Sequence, residues 1–202
     1  MPATIDFIFD FASPNAYLVH KPLAEIAART GATVNLIPCL LGGIFKSTNN
    51  QAPMMAFGNV KGKLDYDRIE MQRFIAKHGL TAFRMNPNFP VNTVILQRGA
   101  LAAERDGKLD AYVEAGLKAM WEDGLKMDDP EVFATAMTDA GFDGAALLEA
   151  TQDPAIKQKL IENTTAAVER GAFGIPTFYV GEEMFFGKER LGQVEEEIAK
   201  QG

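Results

Sequence analysis

Residues 4–14 read TIDFIFDFASP and place a strand directly before a helix. Apolar and polar side chains alternate from Thr4 to Phe11, which is the period of a β-strand. Ser13 is a favoured residue at a helix N-cap, and the ring of Pro14 suits the first helical turn. The stretch therefore predicts a strand whose end delivers a hydroxyl group to the N-terminus of a helix.

The residues that follow extend this start into a βαβ unit. The first helix is predicted to end near Thr30, where Gly31 supplies a C-terminal stop, and Pro22 is expected to bend or split it. Thr33–Pro38 is predicted to be a second short strand, parallel to the first. Residues 41–62 have little periodicity, so we expect a long loop with room for one short helix.

Helical periodicity dominates the middle of the chain, and strands return near its end. A hairpin is predicted from strands Thr177–Val180 and Met184–Phe186, followed by a closing helix over Glu189–Lys200. The helices predicted before the hairpin span residues 64–77, 93–106, 109–121, 130–140, 144–150 and 154–170.

The order of these elements is that of an α/β thioredoxin-like fold interrupted in its middle. Residues 1–40 and 171–202 are predicted to form its βαβ and ββα halves. Residues 41–170 are predicted to form a connecting loop and an all-helical insertion domain. The length of 202 residues fits one such core with a sizeable insertion.

Composition and charge exclude several classes of function. The formal net charge of −7 provides no broad basic surface, so we expect no nucleic-acid partner. The sequence has neither a secretion signal nor a membrane-spanning apolar run, which predicts an unexported protein without a membrane partner. Cys39 is the single cysteine, which fits a reducing cytoplasm. Two distant histidines, His20 and His78, do not indicate a metal site.

Ser13 is the first candidate for chemistry. Its structural interpretation is an N-cap that accepts a backbone hydrogen bond and does nothing more. Its functional interpretation is that the positive end of the helix and the hydroxyl together stabilise a thiolate. Since a hydroxyl has no redox chemistry, that thiolate would belong to another molecule.

Two further motifs point to a bound peptide. Ile175-Pro176 is either an ordinary step into a strand or, with a cis bond, a place where the backbone of Ile175 pairs with an extended peptide such as glutathione. The run from Gly187 to Arg190 is either a solvated helix end or, with Lys188 or Arg190, a carboxylate-binding helix start.

Together these motifs resemble those of the kappa-class glutathione transferases and the 2-hydroxychromene-2-carboxylate isomerases, a DsbA-like branch of the thioredoxin superfamily. The resemblance extends over essentially the whole chain. The segments that carry it are Asp10-Phe11-Ala12-Ser13-Pro14, Gly43-Ile44-Phe45-Lys46 with Asn50 and Pro53, Lys63-Leu64-Asp65-Tyr66, Trp121, Gly171-Ala172-Phe173-Gly174-Ile175-Pro176-Thr177, and Phe186-Gly187 with Arg190-Leu191.

The resemblance implies a role for several matching residues. Ser13 matches the thiolate-binding serine of the family and is therefore the candidate catalytic residue. Asn50 matches an asparagine that contacts glutathione, Ile175 the residue whose backbone pairs with the tripeptide, and Pro176 a cis-proline. Glutathione is accordingly the expected cofactor.

The last motif departs from the family pattern. Gly187 and Arg190 match the pattern of the family. Lys188 and Glu189 differ from it, because the family usually has Ser or Asn at the first of these positions and Asp at the second. With its longer side chain, Glu189 is still expected to reach the glutamyl amino group. Lys188 is the larger departure, and it bears on the glutamyl subsite.

The resemblance implies a homodimer that acts on a small aromatic or electrophilic substrate. The first hypothesis is a glutathione-dependent cis–trans isomerase of an unsaturated aromatic 2-oxo acid. The alternatives are a glutathione transferase or peroxidase acting on small electrophiles, and a non-catalytic glutathione-binding protein. Lys61 and Lys63 are both candidates for binding a glutathione carboxylate. Residues 86–92 either line a substrate pocket or form an ordinary loop.

Overall fold

A mixed four-stranded sheet lies at the centre of the protein. The structure is a computed structural model and describes residues 2–201. The strands are β1 (Thr4–Phe9), β2 (Thr33–Pro38), β3 (Thr177–Val180) and β4 (Glu183–Phe186), in the order β2-β1-β3-β4. β1 is parallel to β2 and antiparallel to β3, and β3 is antiparallel to β4. The predicted βαβ and ββα halves of a thioredoxin-like α/β fold are thus confirmed.

The first strand and helix follow the sequence pattern closely, with two differences. β1 ends at Phe9 and not at Phe11, because the Asp10 side chain accepts a hydrogen bond from the Ala12 N–H and starts a turn there. α1 (Pro14–Thr30) runs through Pro22 as one helix, so the splitting that the proline allowed does not occur.

Among residues 2–201, no helix has the length and apolar character needed to cross a bilayer. The elements that remain besides the strands and α1 are all helices. They are α2 (Leu41–Thr48), α3 (Pro53–Ala56), α4 (Lys63–His78), α5 (Val94–Arg105), α6 (Leu109–Trp121), α7 (Pro130–Asp139), α8 (Gly144–Ala150), α9 (Pro154–Glu169) and α10 (Leu191–Gln201), the last preceded by a 3₁₀ turn at Lys188–Arg190.

Residues 41–62, for which a long loop with room for one short helix was expected, contain two short helices, α2 and α3. Tertiary contacts outweigh the low helix propensity of the glycines in α2. A Cβ atom at Gly43 would lie 3.0 Å from the Thr164 side chain, so this glycine lets α2 approach α9 closely. The Thr164 hydroxyl also accepts a hydrogen bond from the Leu40 N–H at 3.0 Å.

The helices α5 and α6 pack directly on the end of β1. The indole N–H of Trp121 donates to the Phe11 carbonyl at 2.9 Å. A Cβ atom at Gly116 would lie 2.6 Å from the Phe11 ring, which is fully buried against α6. One continuous apolar cluster therefore joins the sheet to the helices. The division into domains at residues 40 and 171 stays a prediction.

Candidate functional site

The hydroxyl of Ser13 points away from the helix that it precedes. Helices α7 and α9 begin with Asp129 and Asp153, whose carboxylates accept hydrogen bonds from the first helical N–H groups. Ser13 makes no such capping contact and instead donates to the Ile175 carbonyl at 3.2 Å. Its side chain is 4% exposed. The hydroxyl is therefore a donor held between two segments that are far apart in sequence.

The N-terminus of α1 is electrostatically suited to an anion. Its first turn contains no acidic residue, so the partial positive charge of the helix end is not neutralised there. A thiolate placed beside Ser13 would be favoured at this end of the helix.

The Ile175-Pro176 segment faces Ser13. Its peptide bond is cis, as the family resemblance implies. The Pro176 carbonyl accepts a hydrogen bond from the Gly187 N–H at 3.0 Å, which ties this segment to the last motif. Throughout residues 2–201, no backbone oxygen outside the helices and strands accepts the Ile175 N–H. That donor is suited to pairing with an extended peptide.

Asn50 reaches the same segment from α2. This helix ends at Thr48, and the next residue, Asn49, has the left-handed conformation with φ of 55°, which ends the helix and turns the chain. The Asn50 amide then donates to the Phe173 carbonyl at 2.8 Å. The Phe173 and Phe186 rings lie 4.6 Å apart. A Cβ atom at Gly174 would come within 2.8 Å of the Phe186 ring, so this position requires glycine.

Lys188 and Glu189 form an ion pair next to this cluster. Lys188 is 6% exposed, and its ammonium group also lies 5.7 Å from the centre of the Phe74 ring. Both charged residues line a cleft of about 440 Å³ between α1, α4 and α10. Ser13 does not line this cleft. The hydrogen bond between Gly187 and Pro176 connects the segment of the ion pair to the segment that Ser13 contacts.

Three of the predicted ligands lie outside these contacts. The Arg190 side chain lines another cleft, of about 490 Å³, between β4 and α10. Lys63 pairs with Asp67 one turn along α4. Lys61 is exposed before the same helix. The structure thus places Ser13 against the Ile175-Pro176 segment, with Asn50 and Gly187 bonded to neighbouring parts of it. The binding roles of all these residues stay predictions, as do those of Lys61, Lys63, Lys188, Glu189 and Arg190.

Asp10 is a buried carboxylate that sequence reasoning treated only as part of a motif. It is 1% exposed and accepts hydrogen bonds from the Ala12 N–H, the Leu41 N–H at 2.7 Å and the Thr93 hydroxyl at 2.5 Å. Burial nevertheless raises the pKa of Asp10 above its ordinary value. Because its contacts join β1, α2 and α5, Asp10 fixes the turn that presents Ser13.

The thiol of the protein itself is not available for chemistry. Cys39 is buried, and burial together with the nearby Asp10 carboxylate raises its pKa to about 12. Its thiolate is therefore scarce near neutral pH. Across residues 2–201, no group of three or more His, Cys, Asp or Glu side chains is placed to bind a metal ion.

An aromatic wall stands beside Ser13 and is contributed mainly by the helical segment. Tyr17 lies one turn after Ser13, and its ring centre is 5.6 Å from that of Phe83. Trp121 stacks on Phe83 at 6.0 Å and contacts Phe89 at 6.1 Å. Trp121 and Phe83 are 0% and 8% exposed and belong to the core, so the half-buried rings of Tyr17 and Phe89 are the parts of this wall that present a surface to an aromatic ligand.

Residues 86–92 form a loop that supports this wall. The buried Asn86 amide donates to the carbonyl groups of Met120 and Leu125, at 2.9 and 2.8 Å. Its side chain is fully engaged in these contacts, so Asn86 holds the loop against the end of α6. Phe89 is the residue of this loop that packs on Trp121. Sequence periodicity cannot reveal such contacts because they join distant segments.

The chain is similar to characterised proteins over nearly its whole length. The model of the DSBA-like thioredoxin domain matches residues 4–199. A 2-hydroxychromene-2-carboxylate isomerase from Pseudomonas sp. (strain C18) is 30% identical over 196 residues, which is 96% of this chain and 89% of that protein. Human glutathione S-transferase kappa 1 is 25% identical over 209 residues, covering 95% and 88% of the two chains. A solved structure of 2-hydroxychromene-2-carboxylate isomerase is 28% identical, covers 98% of this chain and 95% of its own, and has a TM-score of 0.84.

Proposed function

This chain belongs to the DSBA-like thioredoxin domain family, in the branch of the 2-hydroxychromene-2-carboxylate isomerases and kappa-class glutathione transferases, and we propose that it is a glutathione-dependent isomerase. Its substrate is an unsaturated aromatic 2-oxo acid. The observation that carries this proposal is the Ser13 hydroxyl, held 3.2 Å from the Ile175 carbonyl at the positive end of α1.

The residues of the cluster fit glutathione in shape and charge. The N–H and C=O groups of Ile175 suit the backbone of an extended peptide. The Asn50 amide lies beside that segment and supplies a further donor or acceptor. At the other end, Lys188 and Glu189 carry one charge of each sign, and the glutamyl end of glutathione has a carboxylate and an amino group to match them.

Ser13 keeps the sulfur of the bound tripeptide ionised. When bound, glutathione supplies a thiolate that adds reversibly to the conjugated double bond, so that rotation occurs before the C–S bond breaks again. Lowering a thiol pKa by one unit needs about 1.4 kcal/mol, and a hydrogen bond to a charged group supplies about 1.5–3 kcal/mol. A Ser13 hydroxyl that turns to the sulfur also releases the Ile175 carbonyl for the peptide.

A transferase or peroxidase that acts on small electrophiles is the second candidate. The similarity to human glutathione S-transferase kappa 1 favours it, since the same residues would bind glutathione in either case. The aromatic wall of Tyr17 and Phe83 supports the isomerase instead, because it suits an aromatic substrate. A non-catalytic glutathione-binding protein is a third candidate, and the unusual Lys188-Glu189 pair is what favours it.

Absorbance assays with and without glutathione separate these candidates. A hydroxychromene carboxylic acid should be isomerised only when glutathione is present, and faster than chlorodinitrobenzene is conjugated. Ser13→Ala should lower kcat/KM about 10- to 100-fold through loss of the hydrogen bond to the thiolate. The control is Ser47→Ala, at an exposed serine of α2. Conjugation without isomerisation would favour the transferase, and glutathione binding without either activity would favour the binding protein.

We also propose that the protein is a cytoplasmic homodimer. A buried Cys39 suits a reducing compartment, and a cluster of exposed apolar side chains suits an interface. Light scattering should give twice the monomer mass of 22.0 kDa, and a monomer at micromolar concentration would contradict the dimer. The clustered side chains are Met54, Met55, Phe57, Val60, Tyr66 and Ile69.

A further inference from the structure

Arg84 lies at the edge of the aromatic wall, in the segment between α4 and α5. Its backbone N–H donates to the Trp121 carbonyl at 2.6 Å, which fixes the segment against the end of α6. The Nη1 atom of its guanidinium donates to the carbonyl groups of Thr81 and Phe83, at 2.7 and 2.8 Å. The cation is therefore held by its own segment even though the residue is exposed.

The charge of Arg84 is not neutralised by an ion pair. None of the salt bridges among residues 2–201 includes Arg84. A guanidinium group has five N–H donors, and those on Nε and Nη2 are not among the donors used for the two carbonyl contacts. They present the flat edge of a guanidinium group, which matches a carboxylate.

The end of α6 and the Phe83 ring connect Arg84 to Tyr17. The Tyr17 hydroxyl donates to Glu122 at 2.8 Å, and Glu122 directly follows Trp121, to which the Arg84 backbone is bonded. Burial and the Glu122 carboxylate raise the pKa of Tyr17, and the positive charge of Arg84 partly opposes this rise. Arg84 and Glu122 thus flank the Tyr17 hydroxyl with opposite charges.

Tyr17 connects this charged edge to the place proposed for the sulfur. Ser13 is the N-cap of α1, and Tyr17 lies in the first turn of the helix, about 6 Å further along its axis. Phe83, the residue before Arg84, packs on the Tyr17 ring at 5.6 Å. The rings of Tyr17 and Phe83 therefore lie between the Ser13 hydroxyl and the Arg84 cation.

We propose that Arg84 is a specificity-determining residue that binds the carboxylate of the substrate, while Tyr17 contacts its aromatic part. This inference rests on the proposed isomerase function. A planar guanidinium group binds a carboxylate through two parallel hydrogen bonds, which neutral electrophiles cannot form. The negative charge of Glu122 weakens the attraction of this region for anions in general. A ligand therefore gains the most affinity when its carboxylate lies directly against Arg84.

Binding of benzylidenepyruvate and of its uncharged carboxamide tests this assignment without requiring turnover. The single tryptophan, Trp121, lies in the aromatic wall, so quenching of its fluorescence reports the affinity. The wild type should prefer the acid to the amide about 10- to 100-fold, and Arg84→Gln should abolish this preference. Arg84→Lys should keep part of it, and Arg105→Gln, at a distant arginine on α5, should keep all of it.

Steady-state kinetics provide the second measurement. Arg84→Gln should raise KM for the hydroxychromene acid about 10-fold or more and change kcat little, while KM for glutathione stays the same. Equal affinities of the wild type for acid and amide, or an unchanged preference in Arg84→Gln, would overturn the assignment. If the acid preference exists but no glutathione-dependent isomerisation occurs, Arg84 still binds the carboxylate and the proposed function is wrong.

Discussion

The candidate site has two ends that are built from different kinds of contact. The sulfur end, formed by Ser13, Asn50 and Ile175, depends on contacts between segments far apart in sequence, and two of them end on backbone carbonyls. The charged end, formed by Lys188 and Glu189, depends on an ion pair between neighbouring residues. Backbone groups do not change when side chains are substituted, so the chemistry of the sulfur end is the less variable of the two.

The charged end is where the sequence departs from its family pattern. The ammonium group of Lys188 stays buried because it forms an ion pair with Glu189 and a cation–π contact with the Phe74 ring. The two ends should accordingly be separable in experiment. Changes at the charged end should alter the affinity for glutathione, and changes at the sulfur end should alter the ionisation of its thiol.

The largest effect is expected from Asp10→Asn, because this residue supports the whole sulfur end. An asparagine offers one acceptor oxygen where the carboxylate has two, and its amide group would face an N–H or hydroxyl donor. The loss should be about 2 kcal/mol in the free energy of unfolding, or about 4–8 °C in Tm. Thermal unfolding measures it, with the exposed Asp139→Asn on α7 as control. An unchanged Tm would show that Asp10 does not fix the turn.

The same pair of proteins gives a pH test. Burial raises the pKa of Asp10 from its ordinary value of 3.8, so above pH 3.8 the folded protein binds this proton more tightly than the unfolded chain does. The stability that Asp10 contributes is full below pH 3.8 and is lost as the pH rises through the raised pKa. In urea unfolding, the advantage of the wild type over Asp10→Asn should therefore shrink between pH 4 and pH 7. An advantage that grows with pH would mean that the hydrogen bonds lower this pKa.

A smaller effect is expected from Lys188→Met at the charged end. Methionine keeps an apolar side chain against the Phe74 ring but removes the cation that we propose for binding the glutamyl carboxylate. The Kd for glutathione should rise about 10-fold, which corresponds to about 1.4 kcal/mol. Calorimetric titration measures this change, and Lys200→Met, an exposed lysine on α10, is the matched control. An unchanged Kd would remove the charged end from the binding site.

Much of the fold and the position of Ser13 at a helix start could be predicted from sequence, because the decisive patterns are local, whereas the roles of Asn50 and Ile175 were implied only by the family resemblance. The alternation before Ser13 and the helix start at Pro14 lie within a few residues of each other, and β1 and α1 form there. The bounds of α2 were not predicted. Gly43 reads as a loop residue in the sequence, whereas in the structure it allows close packing against Thr164 on a distant helix.

The aromatic wall shows the same limit more clearly. Tyr17, Phe83 and Trp121 meet only after α1, α6 and the segment between α4 and α5 have packed together, and no spacing in the sequence relates them. The network around Asp10 joins residues far apart for the same reason. A motif could therefore identify the serine, whereas the supports of the serine and the proposed surface for the substrate required the structure.

The most direct test of the central claim is the pKa of the glutathione thiol when bound. Thiolate absorbance, followed in pH titrations of the complex, should place that pKa at least about one unit below the value of about 8.5 for an ordinary thiol. Ser13→Ala should raise it by about one unit, and Ser47→Ala should leave it unchanged. A bound thiol that titrates like free glutathione in the wild type would contradict the claim that Ser13 and α1 hold a thiolate.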